Sequence, residues 1–237
     1  MKILDDLIAS LKEDSPVREV YAGVMFTAVI SRNCGLATTF RDGHPQQALV
    51  RGAGSLRGQS ARELAQYAQS DSLLEASIGM AAINSLIDID EAGCIKENAV
   101  DTLLSEGKNR DIAIIGHFPW VDRLKPVARN LWVFDREPRD GDLPAEAAAE
   151  ILPRADIVGI TGTTLINHTA EKLLSLCRHS LVIMIGPTCP LSPVLFDYGV
   201  DIIAGTRVVD TEQAVRCLNE GAMFQQIRGV ERVSLKR

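Results

Sequence analysis

The sequence predicts an α/β protein in which an N-terminal α+β portion precedes an open parallel sheet. Three observations carry this. From Asp111 onward, short β-branched apolar runs alternate with helix-start signals. Those runs are continuously apolar rather than alternating, the mark of strands buried on both faces and paired in parallel. Ahead of them, three β-rich runs stand too close together for crossover helices, so they form an antiparallel meander.

In chain order, Met1 to Lys12 repeats apolar residues at Ile3, Leu4, Leu7, Ile8 and Leu11, the spacing of an amphipathic helix. Val17 to Ala22, Phe26 to Ser31 and Leu36 to Phe40 are the meander strands, broken by turns at Gly23 and at Asn33 to Gly35. The glycine-rich loop Arg51 to Gly58 leads to Ser60-Ala61-Arg62-Glu63, a capping box that opens a helix. A second box, Ser72-Leu73-Leu74-Glu75, opens a long apolar helix ending near Ile87. The more polar segment Asp88 to Arg110 reads as a short helix plus a connection, which sets the expected boundary between residues 1–108 and 109–237. Five buried strands follow, at Ile112 to Ile115, Leu131 to Phe134, Ile157 to Ile160, Leu181 to Ile185 and Val200 to Ile203. Pro144, Ser192-Pro193 and Asp210-Thr211-Glu212-Gln213 mark helix starts between and after them.

Composition narrows the function. With 237 residues, 46% of them hydrophobic, the chain fills a real core. A net charge of −6 and a pI near 5.3 leave no basic field for nucleic acid. Charged residues interrupt the first helix, and no run approaches the roughly 20 apolar residues of a membrane span. The five cysteines are far apart, with no C-x-x-C pair, which argues against a disulfide framework and a structural zinc site and points to a reducing cytoplasm.

Ligands of open parallel sheets bind outside the carboxyl ends of the strands. The loops there are Gly116-His117-Phe118-Pro119, Asp135-Arg136, Thr161-Gly162-Thr163-Thr164, Gly186-Pro187-Thr188-Cys189-Pro190 and Gly205-Thr206. Thr161, Gly162 and Thr163 offer hydroxyls and backbone donors to an anionic or carbonyl-bearing ligand, or Thr163 or Thr164 simply caps the next helix. Asn167 lies one turn further on. Asp135 falls about 20 residues after Gly116, where nucleotide-binding sheets hold a ribose, but His117, Phe118 and Pro119 replace the glycines of that fingerprint. Asp135 is therefore expected to pair with a nearby Arg. His117 and Cys189, at neighbouring strand ends, offer a soft-metal pair, or a nucleophile and base, or serve as ordinary loop residues, with His117 the candidate metal ligand. His168 and His44 are weaker candidates, and His179 lies at the wrong end of the sheet. Asn84 sits in the apolar part of its helix, where an amide requires a partner: a loop backbone, or a ligand at the domain junction. The Gly52 to Gly58 loop permits either a tight turn or close approach of a ligand.

Several ordered blocks carry a family resemblance: Gly54-Ser55-Leu56 with Ser60, Glu75 to Asn84, Ile160 to Asn167, and Gly186 to Pro193. Together they resemble the DUF364 family of heavy-metal chelation proteins with its DUF4213 N-terminal domain. The resemblance implies an enolase-N-terminal-like α+β domain followed by a Rossmann-like domain, with a site in the cleft between them. By block it implies Asn84, Thr161, Thr163, Asn167, Thr188 and the backbone at Gly116 and Gly186 as site residues, and a divalent or heavy metal ion as what is held. The first functional expectation is accordingly chelation, or binding of a metal complex or small anion, in that cleft. The alternative is an enzyme acting on a nucleotide-like or carboxylated metabolite, with His117 as acid or base. A homo-oligomer is left open.

Overall fold

The apolar runs fold into the strands that their burial demands. The computed structural model describes residues 1–40, 49–89 and 93–237, so His44 lies outside the described residues. Helix α1 (Lys2–Ser10) buries Ile3, Leu4, Leu7 and Ile8. Strands β1 (Glu19–Ala22), β2 (Phe26–Ile30) and β3 (Cys34–Thr38) form the antiparallel meander. Ser60 accepts from the Glu63 N–H to start α2 (Ala61–Ala65), and Ser72 accepts from the Glu75 N–H to start α3 (Leu73–Leu86). The second box is incomplete: the Glu75 carboxylate turns to Arg51 and Ser70 instead of closing back on Ser72. Helix α3 is buried nearly all round, since the meander lies on one side and α2 with residues 66–69 on another.

Helix α4 (Ala99–Glu106) precedes a seven-stranded sheet made of β4 (Asp111–Ile115), β5 (Asn130–Asp135), β6 (Leu143–Pro144), β7 (Ile157–Thr161), β8 (Leu181–Ile185), β9 (Ile202–Val208) and β10 (Val230–Lys236). Its order is β10-β9-β8-β7-β4-β5-β6, parallel throughout except for the β9–β10 pair. The edge strands β6 and β10 are additions to the five strands expected, and β9 begins and ends later than the expected Val200 to Ile203. Alternate residues face opposite ways. Ala113, Phe134, Val158, Ile160, Val182 and Met184 join one continuous core with α1, α3, α5 (Ala148–Ile151) and α6 (Ala170–Leu176). Ile112, Ile114, Ile157 and Ile183 pack instead with Ala99 and Leu103 of α4 and with Val121 and Leu124. The free face of the meander is covered by Ala214 and Leu218 of α7 (Thr211–Asn219), which Asp210 caps.

Two long-range contacts pin α1 across the sheet's helices: the Ile3 N–H donates to Glu171 at 2.6 Å, and the Tyr198 hydroxyl donates to Asp6 at 2.5 Å. From β4 the chain runs outward to β5 and β6, then returns to place β7 on the other side of β4. The crevice between the ends of β4 and β7 is thus the topological switch point, where the outgoing loops diverge and leave room for a ligand.

Candidate functional site

At the switch point the chain after β4 must turn sharply beside β7. Gly116 does so with φ +94°, and a Cβ there would stand 3.0 Å from the Thr161 methyl. After β7, Thr161 caps a short 3₁₀ turn, Gly162–Thr164, by accepting from the Thr163 N–H, and the two hydroxyls lie 3.0 Å apart. Thr164 turns back to the Thr161 carbonyl at 2.8 Å. The capping role expected of Thr163 or Thr164 therefore falls to Thr161. Helix α6 begins only at Ala170, and Asn167 spends its side-chain oxygen on the N–H and hydroxyl of Thr169.

Two cavities flank this turn and share Thr161 and Thr163 as a common wall. One, of about 640 Å³, is lined by Gly116, Asp135, Arg136, Asn167 and Lys172 over an apolar floor that includes Ile115, Phe134 and Leu173. The other, of about 480 Å³, is lined by Gly186, Pro187, Thr188, Phe118, Trp120 and Arg123 among others. Phe40 and Leu73 reach the first cavity and Phe26 and Thr38 the second, so the N-terminal part contributes to both.

The expected residues are thus divided. Gly116, Thr161, Thr163 and Asn167 meet in the first cavity, and Thr161, Thr163, Gly186 and Thr188 in the second. Gly162 lines neither; it packs so tightly that a Cβ would lie 2.7 Å from the Cys189 nitrogen. Thr188 is buried and accepts the Thr38 N–H at 2.9 Å, tying β3 to the loop after β8. Asn84 performs a similar task. Its amide nitrogen faces the carbonyls of Leu36, Thr188 and Pro187 at 2.8, 3.2 and 3.4 Å, while its buried oxygen lacks a partner. Three carbonyls fix that orientation, since a flipped amide would oppose oxygen to oxygen.

Asp135 departs from expectation. No Arg pairs with it among the described residues; its two oxygens accept the N–H groups of His117 (2.9 Å) and Glu137 (3.0 Å), which fasten the loop after β4 to the end of β5. His117 has a partner that sequence reasoning missed. Its Nδ1 lies 2.8 Å from Oδ2 of Asp142, and the side chains are 18% and 4% exposed. Asp142 sits in a turn 25 residues away, without a periodic signal to reveal it.

The expected His117–Cys189 pair is not assembled as a donor set. Cys189 is buried, with its sulfur toward the Met184 carbonyl, and burial raises its pKa. Burial likewise pushes the thiols of Cys34 and Cys177 up to about 12. Among the described residues no group of three or more His, Cys, Asp or Glu side chains is placed to hold a metal ion. His168 is held structurally, with Nε2 at 2.8 Å from the Ala68 carbonyl. No helix of the described residues is long and apolar enough to cross a membrane.

Comparison with known proteins fits this geometry into a family. The family model DUF364, described as "Putative heavy-metal chelation", matches residues 98–236, and DUF4213, with the same description, matches residues 4–87. A curated relative, the uncharacterized protein MJ0500 of Methanocaldococcus jannaschii, is 30% identical over 181 residues, which cover 72% of this chain and 69% of that protein. A solved DUF364-family structure of unknown function from Desulfitobacterium hafniense DCB-2 has a TM-score of 0.89 at 29% identity, covering 100% of this chain and 98% of its own. A second, PH1506 from Pyrococcus horikoshii, has a TM-score of 0.81 at 23% identity with the same coverage, a likeness of fold.

Proposed function

We propose, from the premise that this chain belongs to the DUF364 family and carries the DUF4213 part ahead of it, that it binds a small anionic ligand at the Thr161–Thr163 wall. A metal would enter there already held by an anionic chelator. In this reading residues 1–108 and 109–237 form the two sides of the cleft, the hydrogen-bonded Thr161–Thr163 pair supplies one free hydroxyl donor, and Asn167 and the backbone at Gly116 and Gly186 shape the walls. Asn84 and Thr188 keep the two sides in register. The reading rests on the chemistry of the donor set.

Thiophilic ions require thiolate or imidazole donors in close array, and ionisation of a buried thiol opposes its own desolvation. Among the described residues, the buried thiols have raised pKa values and no three-donor cluster is present, so these residues do not fit a bare heavy-metal ion. On the Gly186 side, hydroxyls beside the exposed Arg123 and Arg232 suit carboxylate or phosphate oxygens instead, whereas the Gly116 side sets Asp135, Glu137 and Glu146 against Arg136 and Lys172. The family description and the site chemistry agree if the cargo is a metal complex rather than the ion alone.

Calorimetry on tag-free protein tests this with zinc chloride, citrate and iron(III) citrate. Citrate or its iron complex should bind, and Thr163→Val should weaken that binding tenfold or more. Micromolar binding of zinc ion alone, undiminished in Thr163→Val and without any citrate signal, would overturn the proposal.

A further inference from the structure

The cavity on the Gly186 side of the threonine wall contains groups that hydroxyl chemistry does not explain. Phe118 and Trp120 both line it and stack on one another, with ring centroids 4.8 Å apart and 15° between planes. Phe224 lines it too, and the Arg232 guanidinium lies 5.2 Å from that ring's centroid. Arg232 and Arg123 are exposed residues on the wall of the same cavity, and neither forms an ion pair among the described residues. Glu97, the carboxylate on this wall, is neutralised by Lys236 at 2.6 Å. Two guanidiniums without an ion pair among the described residues thus share one cavity with four aromatic rings, Phe26 included, in a chain whose net charge is −6. Unpaired surface arginines alone would be unremarkable; their meeting with a stacked aromatic pair in one cavity selects a ligand class. Guanidinium forks match anionic oxygens in a plane, and aromatic faces and edges favour another flat π-system over a saturated ring of equal size.

We infer that this cavity takes a planar aromatic anion, with its ring against Phe118 and Trp120 and its anionic group against Arg123 and Arg232. The inference rests on the anion-binding reading above and adds the class of ligand.

The probes are pyridine-2,6-dicarboxylate and cyclohexane-1,3-dicarboxylate, which carry the same two carboxylates on a flat and a saturated ring, with citrate as a third anion. Affinities are measured by calorimetry on the full wild-type chain, and emission is read in a Trp132→Phe background, where Trp120 is the remaining tryptophan of the two. The aromatic dianion should bind at least tenfold more tightly than the saturated one and quench Trp120. The double variant Arg123→Gln/Arg232→Gln, at exposed positions, should lose tenfold or more of that affinity with an unchanged melting curve. Phe118→Leu should narrow the gap between the two dianions. Equal binding of both dianions, or binding of citrate alone, would overturn the aromatic class and leave the anion-binding reading standing. Binding of none of the three would overturn both. The comparison of ligands on wild-type protein decides the matter even if a variant fails to fold.

Discussion

Replacing Gly162 by Ala tests whether the threonine wall is positioned by backbone-on-backbone packing. The added Cβ would lie 2.7 Å from the Cys189 nitrogen, 3.0 Å from its Cα and 3.1 Å from the Thr188 carbonyl carbon. None of these atoms belongs to a side chain able to swing away. Gly162 is absent from the positive-φ residues, so alanine brings no conformational penalty of its own and the effect is steric. Carbon atoms settle at about 3.5–4.0 Å, so the loops after β7 and β8 must separate by roughly 0.7 Å or more. Overpacking of this kind costs about 1–3 kcal/mol. For a chain of this length that is a fall in Tm of about 2–12 °C. Because the same displacement moves Thr161 and Thr163 relative to Thr188, anion affinity should fall along with stability. Differential scanning calorimetry and citrate titration measure the two together. A Tm within about 1 °C of wild type with unaltered affinity would refute the argument, since the smallest expected shift is about twice that.

Three further outcomes are expected. Burial pushes the Glu75 carboxyl up, yet hydrogen bonds from the Arg51 side chain, Ser70 and the Arg51 backbone outweigh it and hold the group below the usual carboxylate range. Glu75→Gln should therefore lose about 1–3 kcal/mol near neutrality. The loss should be full above the unfolded-state pKa of about 4.3 and shrink as pH falls below it through the folded value; urea titrations at several pH values that show a gap independent of acid would contradict this. Asn84→Asp sets a carboxylate against three carbonyls in place of a donor and should cost about 3–5 kcal/mol, so a wild-type urea midpoint at neutral pH would disprove the assigned orientation. Iodoacetamide at about pH 8 should spare Cys34, Cys177 and Cys189 in the native protein and label them once it is denatured. Rapid native labelling of any of the three by peptide mass mapping would refute the burial argument, and with it the case against a thiolate metal site.

The sheet was legible because continuous runs such as Ile112 to Ile115 and Leu181 to Ile185 have no amphipathic alternative; they must be covered on both faces. Strand β10 escaped notice because Val230–Lys236 is a mostly polar edge segment, paired through its backbone to β9 and burying chiefly Val233 and Ser234. The loops of the site could be located from strand ends, but not their grouping. Whether Gly116 and Gly186 share a cavity depends on which side of Thr161 each loop emerges, and that follows from strand order, not from local pattern. Partners were hidden for the same reason. Asp142 meets His117 across 25 residues, and Asp135 accepts from backbone N–H groups that any residue but proline at positions 117 and 137 would carry. Asn84 was the exception: an amide in an apolar helix announces a distant partner even when the partner cannot be named.

The 3.0 Å contact between Thr161 and Thr163 ties the two cavities together through a single proton direction. Either hydroxyl can be the donor in that bond, but not both at once. An occupant that draws a proton from Thr163 leaves that hydroxyl to accept from Thr161, and so withdraws the Thr161 proton from any ligand on the other side. If ligands occupy both chambers as proposed, occupation of one would set whether the wall presents a proton or a lone pair to its neighbour, and by reciprocity the neighbour's ligand would act equally on the first.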